Sequence, residues 1–149
     1  IENAMAIILP DATLGAGNFG ASLASAGDLD GDGMDELLIG SPTVHLPTYA
    51  SGRVYVVYGG LTGTWEIEDL LLPKESGGGG TSEGADRSST ISALFIGGTA
   101  YGLGSSVAGV GDITGDGERD LLFGAPGADL HGTGAGTGAV FVFNGKGGP

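Results

Sequence analysis

The sequence predicts an all-β protein built from two copies of one repeat. Glycine supplies 33 of the 149 residues, and 40% of the residues are hydrophobic. Glycine at this density argues against a mainly helical protein, because each helical glycine costs about 1 kcal/mol relative to alanine. The hydrophobic content, together with only 15% of charged residues, excludes a disordered chain. The class that remains is a sheet protein with many tight turns.

The repeat is visible as two aligned stretches of the chain. Residues 20–42 align without a gap with residues 104–126, at an offset of 84. The similarity resumes between residues 52–59 and 138–145 at an offset of 86, so the second connecting loop is two residues longer. Self-similarity of this kind indicates a protein built by repetition of one structural unit.

Each copy contains short stretches that are typical of β-strands, with alternating, β-branched or aromatic residues bounded by Gly and Pro. They are residues 22–26, 36–39 and 53–58 in the first copy and residues 106–110, 120–123 and 139–143 in the second. A fourth strand is expected before each copy, at residues 4–9 and 91–96. Four short antiparallel strands per repeat are typical of a β-propeller blade.

The predicted organisation has three parts. Residues 1–60 form the first blade, with its outer strand at 4–9, and residues 91–149 form the second. Residues 61–90 form an insertion between them. Within the insertion, residues 65–72 fit either a short helix or an irregular strand, and the Gly/Ser-rich stretch 73–90 is expected to be a flexible loop.

The charge of the chain is strongly acidic and unevenly placed. There are 18 acidic residues against 5 basic ones, a net charge of −13, which argues against a nucleic-acid partner. Half of the acids lie in residues 28–36 and 112–120. Carboxylates gathered in this way repel one another unless a cation or protons compensate. No apolar run approaches the roughly 20 residues of a membrane-spanning helix, so we expect no membrane insertion.

The spacing within the two acidic stretches predicts two calcium sites. Oxygen ligands are expected at positions 1, 3, 5, 7 and 9 of each loop, position 7 through its backbone carbonyl. These residues are Asp28, Asp30, Asp32, Met34 and Glu36 in the first loop and Asp112, Thr114, Asp116, Glu118 and Asp120 in the second. A set of oxygen ligands with several carboxylates suits Ca²⁺, whereas zinc would require His or Cys. An EF-hand is excluded, because position 12 is Ile39 or Phe123 and the flanks are strands.

With these loops in place, the sequence resembles the FG-GAP repeats of integrin α-chain propellers and of many bacterial surface proteins. The Phe-Gly element is Phe19-Gly20, weakened to Leu103-Gly104, and the Gly-Ala-Pro element is residues 40–42 and 124–126. The resemblance implies a β-propeller, structural calcium in the hairpin loops and an extracellular adhesive role. Glu36 departs from the usual Asp at position 9, so the first site is expected to be looser or to bind in a different mode. Thr114 removes one charge from the second loop, so the second site is expected to bind more weakly.

Two blades cannot close a propeller ring, which typically has 4–8 blades. The predicted function is therefore that of a calcium-binding propeller segment that binds a protein or carbohydrate ligand at the cell surface. The ring would be completed by further blades or by self-association. Strand addition by residues 4–9 of a second copy is one route to self-association. The alternatives are the propeller part of a secreted hydrolase and a purely structural fibre or ring protomer. No catalytic constellation stands out, so no enzymatic activity is expected.

Overall fold

Strands dominate the computed structural model of the chain, which describes residues 4–10, 17–46, 49–67, 70, 93–99, 101–134 and 136–145. The strands are β1 Ala6–Leu9, β2 Ser22–Gly27, β3 Glu36–Leu46, β4 Tyr49–Val57, β5 Gly63–Glu66, β6 Ala93–Thr99, β7 Ser106–Val110, β8 Asp120–Ala125 and β9 Ala139–Asn144. Of residues 65–72, Trp65 and Glu66 extend a strand, whereas Ile67 and Leu70 are helical. Within the described ranges, no helix has the length and hydropathy that a bilayer crossing requires. The predicted all-β class is confirmed.

The first repeat forms a four-stranded sheet in the order β2-β3-β4-β6. Every neighbouring pair in this sheet is antiparallel. Each of the three pairings contains one register shift, and the shift between β2 and β3 falls at Ser25–Gly27, just before the first acidic loop. The sheet is therefore a blade of four antiparallel strands, as the repeat pattern predicts.

The second repeat forms a three-stranded antiparallel sheet in the order β7-β8-β9. Its pairings run in continuous register, from Ser106 opposite Gly124 to Asp120 opposite Asn144. Among the described residues no strand pairs with the outer side of β9. Within the described ranges, β9 is therefore an edge strand of its sheet.

The strand pairing differs from the sequence expectation at both fourth strands. Ala6–Leu9 does not join the first blade, because β1 pairs in parallel with β5. The fourth strand of the first blade is instead Ala93–Thr99, which the sequence assigned to the second unit and which pairs with β4. The stretch 73–90 lies outside the described residues, and the division into three parts stays a prediction.

One hydrophobic core lies between the two blades. The first blade contributes Leu38, Val54 and Val56, each no more than 2% exposed. Phe123 and Phe143 of the second blade meet Phe95 of β6, with ring centroids 4.7 to 5.0 Å apart. Since Phe95 belongs to the first blade, this aromatic cluster joins the two sheets into one packed unit.

Two glycines of the first blade allow the second repeat to approach closely. A Cβ atom at Gly40 would overlap the carbonyl oxygen of Gly104, and one at Gly52 would overlap the backbone of Leu103. Ser22 Oγ also donates to Gly104 O at 2.7 Å. The Leu103–Gly104 segment is thus seated directly on the first blade, and any side chain at Gly40 or Gly52 would displace it.

A second core covers the opposite face of the first blade. Ile39, Tyr55 and Val57 are buried there under Trp65, Ile67 and Leu70. Ile8 of β1 and Leu61 pack against the same cluster. The short parallel sheet and the residues that follow it therefore form a cap over these residues of the first blade.

Candidate metal centre

Both acidic loops connect the first two strands of a blade. The first loop joins β2 to β3, and the second joins β7 to β8. Gly33 and Gly117, at position 6, have φ values of +89° and +91°, a backbone conformation that glycine adopts without strain. Gly31 and Gly115, at position 4, are also left-handed, which the sequence interpretation did not anticipate. These glycines turn each loop back toward its first aspartate.

The first aspartate of each loop organises the backbone of that loop. Asp28 accepts hydrogen bonds from the N–H groups of Gly31 at 2.7 Å and Gly33 at 3.0 Å. Asp112 accepts from Gly115 at 2.6 Å, Gly117 at 2.7 Å and Asp116 at 3.1 Å. The bonds from these backbone N–H groups lower the pKa of Asp112. The two loops therefore begin with the same backbone hydrogen-bonding pattern around the first aspartate.

Three carboxylates converge in the first loop. Oxygen atoms of Asp28, Asp30 and Glu36 all lie within 4.8 Å of one another. Glu36 is 1% exposed, and its Oε2 accepts a hydrogen bond from the N–H of Leu29. Its Oε1 is buried and has no hydrogen-bond partner. A buried carboxylate oxygen without a partner is costly, and a bound cation would satisfy it.

The charge state of Glu36 reflects this environment. Burial raises the pKa of Glu36, and the nearby charges of Asp30 and Asp32 raise it further. The backbone N–H groups of Leu29 and Gly59 act in the opposite direction, although Gly59 makes no hydrogen bond of ordinary geometry to Oε1. Tyr58, at the end of the neighbouring strand, also has a raised pKa, because of burial and the charges of Glu36 and Asp30. The first loop therefore concentrates negative charge around a buried carboxylate.

The second loop satisfies its closing carboxylate internally. Asp120 Oδ2 accepts from the N–H groups of Ile113 at 2.7 Å and Thr114 at 2.9 Å. Its Oδ1 accepts from Thr114 Oγ1 at 3.3 Å. Asn144, at the end of the neighbouring strand β9, donates a hydrogen bond from Nδ2 to Asp116 Oδ2 in the loop. In the described part of the chain, a group of three convergent acidic oxygens forms in the first loop and not in the second.

The structure thus places the ten predicted ligands in two unequal groups. Asp28, Asp30 and Glu36 come together, and Asp32 and Met34 continue the same loop, with the N–H of Met34 donating to Asp32 Oδ1 at 2.8 Å. Asp112, Thr114, Asp116, Glu118 and Asp120 share the second loop and bond mainly to its backbone. Ligation by these ten residues stays a prediction.

Sequence reasoning missed the contribution of the third strand of each blade. Tyr58 lies beside the first loop, and Asn144, its counterpart at the offset of 86, contacts the second. The signal was available, since Asn144 pairs with Asp120 once β8 and β9 are placed side by side. Asp129 was also missed. It accepts from the N–H groups of Gly134 and Thr133 in a separate loop, which lowers its pKa.

Two repeated sheets with acidic loops after their first strands define a class of repeat β-protein, and comparison with known proteins identifies which one. The family model for the FG-GAP repeat matches residues 19–57 and 103–143, more than half of the chain. The chain belongs to the FG-GAP repeat family. The resemblance predicted from the Phe-Gly, Gly-Ala-Pro and acidic-loop elements is confirmed.

Curated relatives of the chain include integrin α-chains from several animals. Integrin alpha-5 of Xenopus laevis is 36% identical over 137 residues, which cover 88% of this chain and 10% of the relative. Integrin alpha-PS2 of Drosophila melanogaster is 33% identical over 136 residues, 86% of this chain and 8% of the relative. Integrin alpha-IIb of Mus musculus is 32% identical over 138 residues, which cover 88% of this chain and 11% of the relative. The chain spans about a tenth of the length of these relatives.

Proposed function

We propose that this chain is a non-enzymatic, calcium-stabilised segment of a β-propeller that serves extracellular adhesion or surface assembly. The observation that carries the proposal is the first acidic loop, where three carboxylates converge around the buried and unpartnered Oε1 of Glu36. The similarity to integrin α-chains supports the adhesive role and the location outside the cell. The ligand, a protein or a carbohydrate, would bind to loops that the propeller presents.

The residues of the first loop fit a hard divalent cation. Asp28, Asp30, Asp32 and Glu36 offer carboxylate oxygens, and Met34 offers a backbone carbonyl. This chemistry suits Ca²⁺, which accepts six to eight oxygen ligands with flexible geometry, better than Mg²⁺, which retains more of its water. When bound, the ion would supply positive charge to the acidic loop and a partner for Glu36 Oε1. Its role would be structural.

We propose a second and weaker calcium site in the second loop, formed by Asp112, Thr114, Asp116, Glu118 and Asp120. Thr114 brings one carboxylate fewer, and Asp120 already accepts three hydrogen bonds from the protein. An ion in this loop would have to compete with these bonds. Extracellular calcium modules have dissociation constants of about 10⁻⁴ to 10⁻³ M. Millimolar calcium would then stabilise the fold by about 0.4 to 1.4 kcal/mol at the first site.

Calorimetric titration with CaCl₂, and separately with MgCl₂, tests the metal sites. Wild type should bind calcium in two steps, the first about tenfold tighter than the second, and magnesium more weakly. Glu36→Gln should remove the tighter step, and Asp112→Asn should remove only the weaker one. Glu66→Gln, an exposed acid in β5, is the matched control and should leave both steps unchanged. Wild type without a calcium response would contradict the proposal.

The adhesive role needs a separate measurement, because calcium binding alone does not establish it. The labelled chain would be applied to arrays of extracellular matrix proteins and of glycans, in millimolar calcium and in EDTA. We expect calcium-dependent retention on at least one ligand, which Glu36→Gln weakens and Glu66→Gln does not. Absence of retention on both arrays, with calcium binding intact, would contradict adhesion and leave the structural calcium role standing.

A further inference from the structure

The second blade carries an open groove of about 510 Å³ on the side where Val140 is exposed. Its lining includes Ser106, Gly124, Ala125, Gly138, Ala139 and Val140. Val140 and Val142 of β9 are 68% and 47% exposed on this face. The described residues contain nothing that covers it.

The first blade shows what fills such a groove. On that blade the Leu103–Gly104 segment contacts Ser22, Gly40, Ser41, Gly52 and Arg53. Their counterparts in the second repeat are Ser106, Gly124, Ala125, Gly138 and Ala139, and all five line the open groove. The groove is therefore the equivalent, in the second repeat, of a site on the first blade. On the first blade that site holds an apolar residue followed by glycine, Leu103–Gly104.

Equivalent valines lie beside the filled site on the first blade and the open groove on the second, but their exposure to solvent differs. Val54 and Val56 are 0% and 2% exposed under the second blade, whereas their counterparts Val140 and Val142 are uncovered. Burial of these exposed valine side chains in a contact would stabilise that contact. An apolar face of this kind on a folded surface is typical of a protein–protein contact.

The matching half of the contact is exposed at the other end of the same molecule. Phe19–Gly20 corresponds to Leu103–Gly104, and Leu23 corresponds to Val107, which packs into the core between the blades. Leu23 is 60% exposed, Gly20 is exposed and Phe19 is only half-buried. The cap covers Ile39, Tyr55 and Val57 on this face but leaves Leu23 and Gly20 uncovered.

We propose that the groove on the second blade binds the Phe19–Gly20 segment of a second copy of this chain, with Leu23 of that copy packed against Val140. The contact joins two different surfaces, so it is heterologous and gives a ring if the rotation closes and a fibre if it does not. The net charge of −13 opposes association, and physiological salt screens that repulsion. The proposal is independent of calcium binding.

Sedimentation velocity of the full chain, from micromolar to millimolar protein in physiological salt, tests the contact. The mass of wild type should rise from 14.5 kDa to multiples of it as concentration increases. Val140→Asp and Leu23→Asp should each stay monomeric. Leu130→Asp is the matched control, since Leu130 is 59% exposed and does not line the groove, and it should associate as wild type does.

Mixing the two blocked variants distinguishes this contact from its rivals. Val140→Asp keeps an intact Phe19–Leu23 surface, and Leu23→Asp keeps an intact groove, so an equimolar mixture should form a complex of twice the monomer mass and nothing larger. Val140→Thr, which keeps the β-branched shape, covers the case in which Asp disturbs the strand. It should weaken association at least tenfold while the circular dichroism spectrum stays unchanged.

Three results would overturn the proposal. Association that Leu23→Asp leaves intact would mean that two open faces pair with each other. A mixture that stays monomeric would mean that the two surfaces do not meet. A wild type that stays at the monomer mass at every concentration would mean that the groove accepts a blade from another protein or from the rest of a longer chain.

Discussion

The two repeats have similar sequences, but their surroundings are opposite. Val54 of the first repeat is fully buried, and its counterpart Val140 is 68% exposed. Leu103 of the second repeat is 3% exposed, and its counterpart Phe19 is half-buried. The sequence of a repeat therefore sets which residues belong to an interface, and the neighbouring blade decides whether that interface is formed.

The two acidic loops differ in a comparable way. Glu36 and Asp120 occupy the same position and are both buried. The longer Glu36 side chain leaves one oxygen without a partner, whereas the shorter Asp120 accepts hydrogen bonds at both oxygens. The two loops thus differ in whether the protein itself supplies hydrogen bonds to both oxygens of the closing carboxylate.

The largest effect is expected from breaking the core that joins the repeats. Phe123→Ala should lower the free energy of unfolding by about 3–5 kcal/mol, because Phe123 is fully buried and its loss leaves a cavity between the sheets. Phe141→Ala, at a half-buried position on β9, should cost much less. Urea unfolding measures both. Equal losses would contradict a single core shared by the two blades.

Matched valines sharpen the comparison of the two faces. Val54→Ala should cost about 2 kcal/mol, since it removes two methylene equivalents from a filled core and leaves a cavity. Val140→Ala should change stability by less than about 0.5 kcal/mol in the monomer, as an exposed position does. The measurement is urea unfolding at low protein concentration. A cost at Val140 as large as at Val54 would show that the second face is covered in solution.

The closing carboxylates provide the next comparison. Asp120→Asn should cost about 1.5 kcal/mol in EDTA, because the charged acceptor of three hydrogen bonds is lost. Glu36→Gln should not destabilise the protein in EDTA, since it removes a buried charge, but it should abolish most of the stabilisation by calcium. Thermal unfolding in EDTA and in calcium measures both variants. A calcium response that survives Glu36→Gln would contradict the assignment.

The smallest effect is the pH dependence of the first loop in EDTA. Because the pKa of Glu36 is raised above 4.5, the folded state binds more protons than the unfolded state just above that pH. The stability of wild type relative to Glu36→Gln should therefore fall as pH rises from 4.5 through the folded pKa and then level off. Calcium should reverse this decline. Urea midpoints against pH test the sign, and a relative stability that rises with pH would contradict it.

The lowered pKa of Asp112 acts in the opposite sense and over a lower range. Its contribution to stability is present above 3.8 and is lost as pH falls through the lower folded value. The same holds for Asp129. Comparison with Glu36→Gln at each pH removes both contributions, because both aspartates are present in the variant and in wild type.

Local patterns in the sequence located the strands of both repeats, but not the lengths of β3 and β4. The structure extends β3 from the predicted 36–39 to Leu46 and begins β4 at Tyr49 instead of residue 53. The prediction of residues 106–110 as a strand matches β7, and those of residues 120–123 and 139–143 are each extended slightly by the structure. Alternation and turn glycines set these elements, and both signals are local. The acidic loops were predictable for the same reason, because the spacing of aspartates and glycines alone specifies the turn.

The sequence by itself determined the all-β class, the repeat and the two acidic loops, since each depends on residues a few positions apart. Only the tertiary structure decided that Ala93–Thr99 completes the first blade while Ala6–Leu9 pairs with β5. It alone separated Glu36, with an unpartnered oxygen, from Asp120, whose oxygens are satisfied. The pairing partner of a strand comes from a segment distant in sequence, and the hydrogen-bond partners of a buried carboxylate depend on how its loop folds. A local sequence pattern does not specify which segment will lie beside a strand or which carboxylate oxygens will be satisfied.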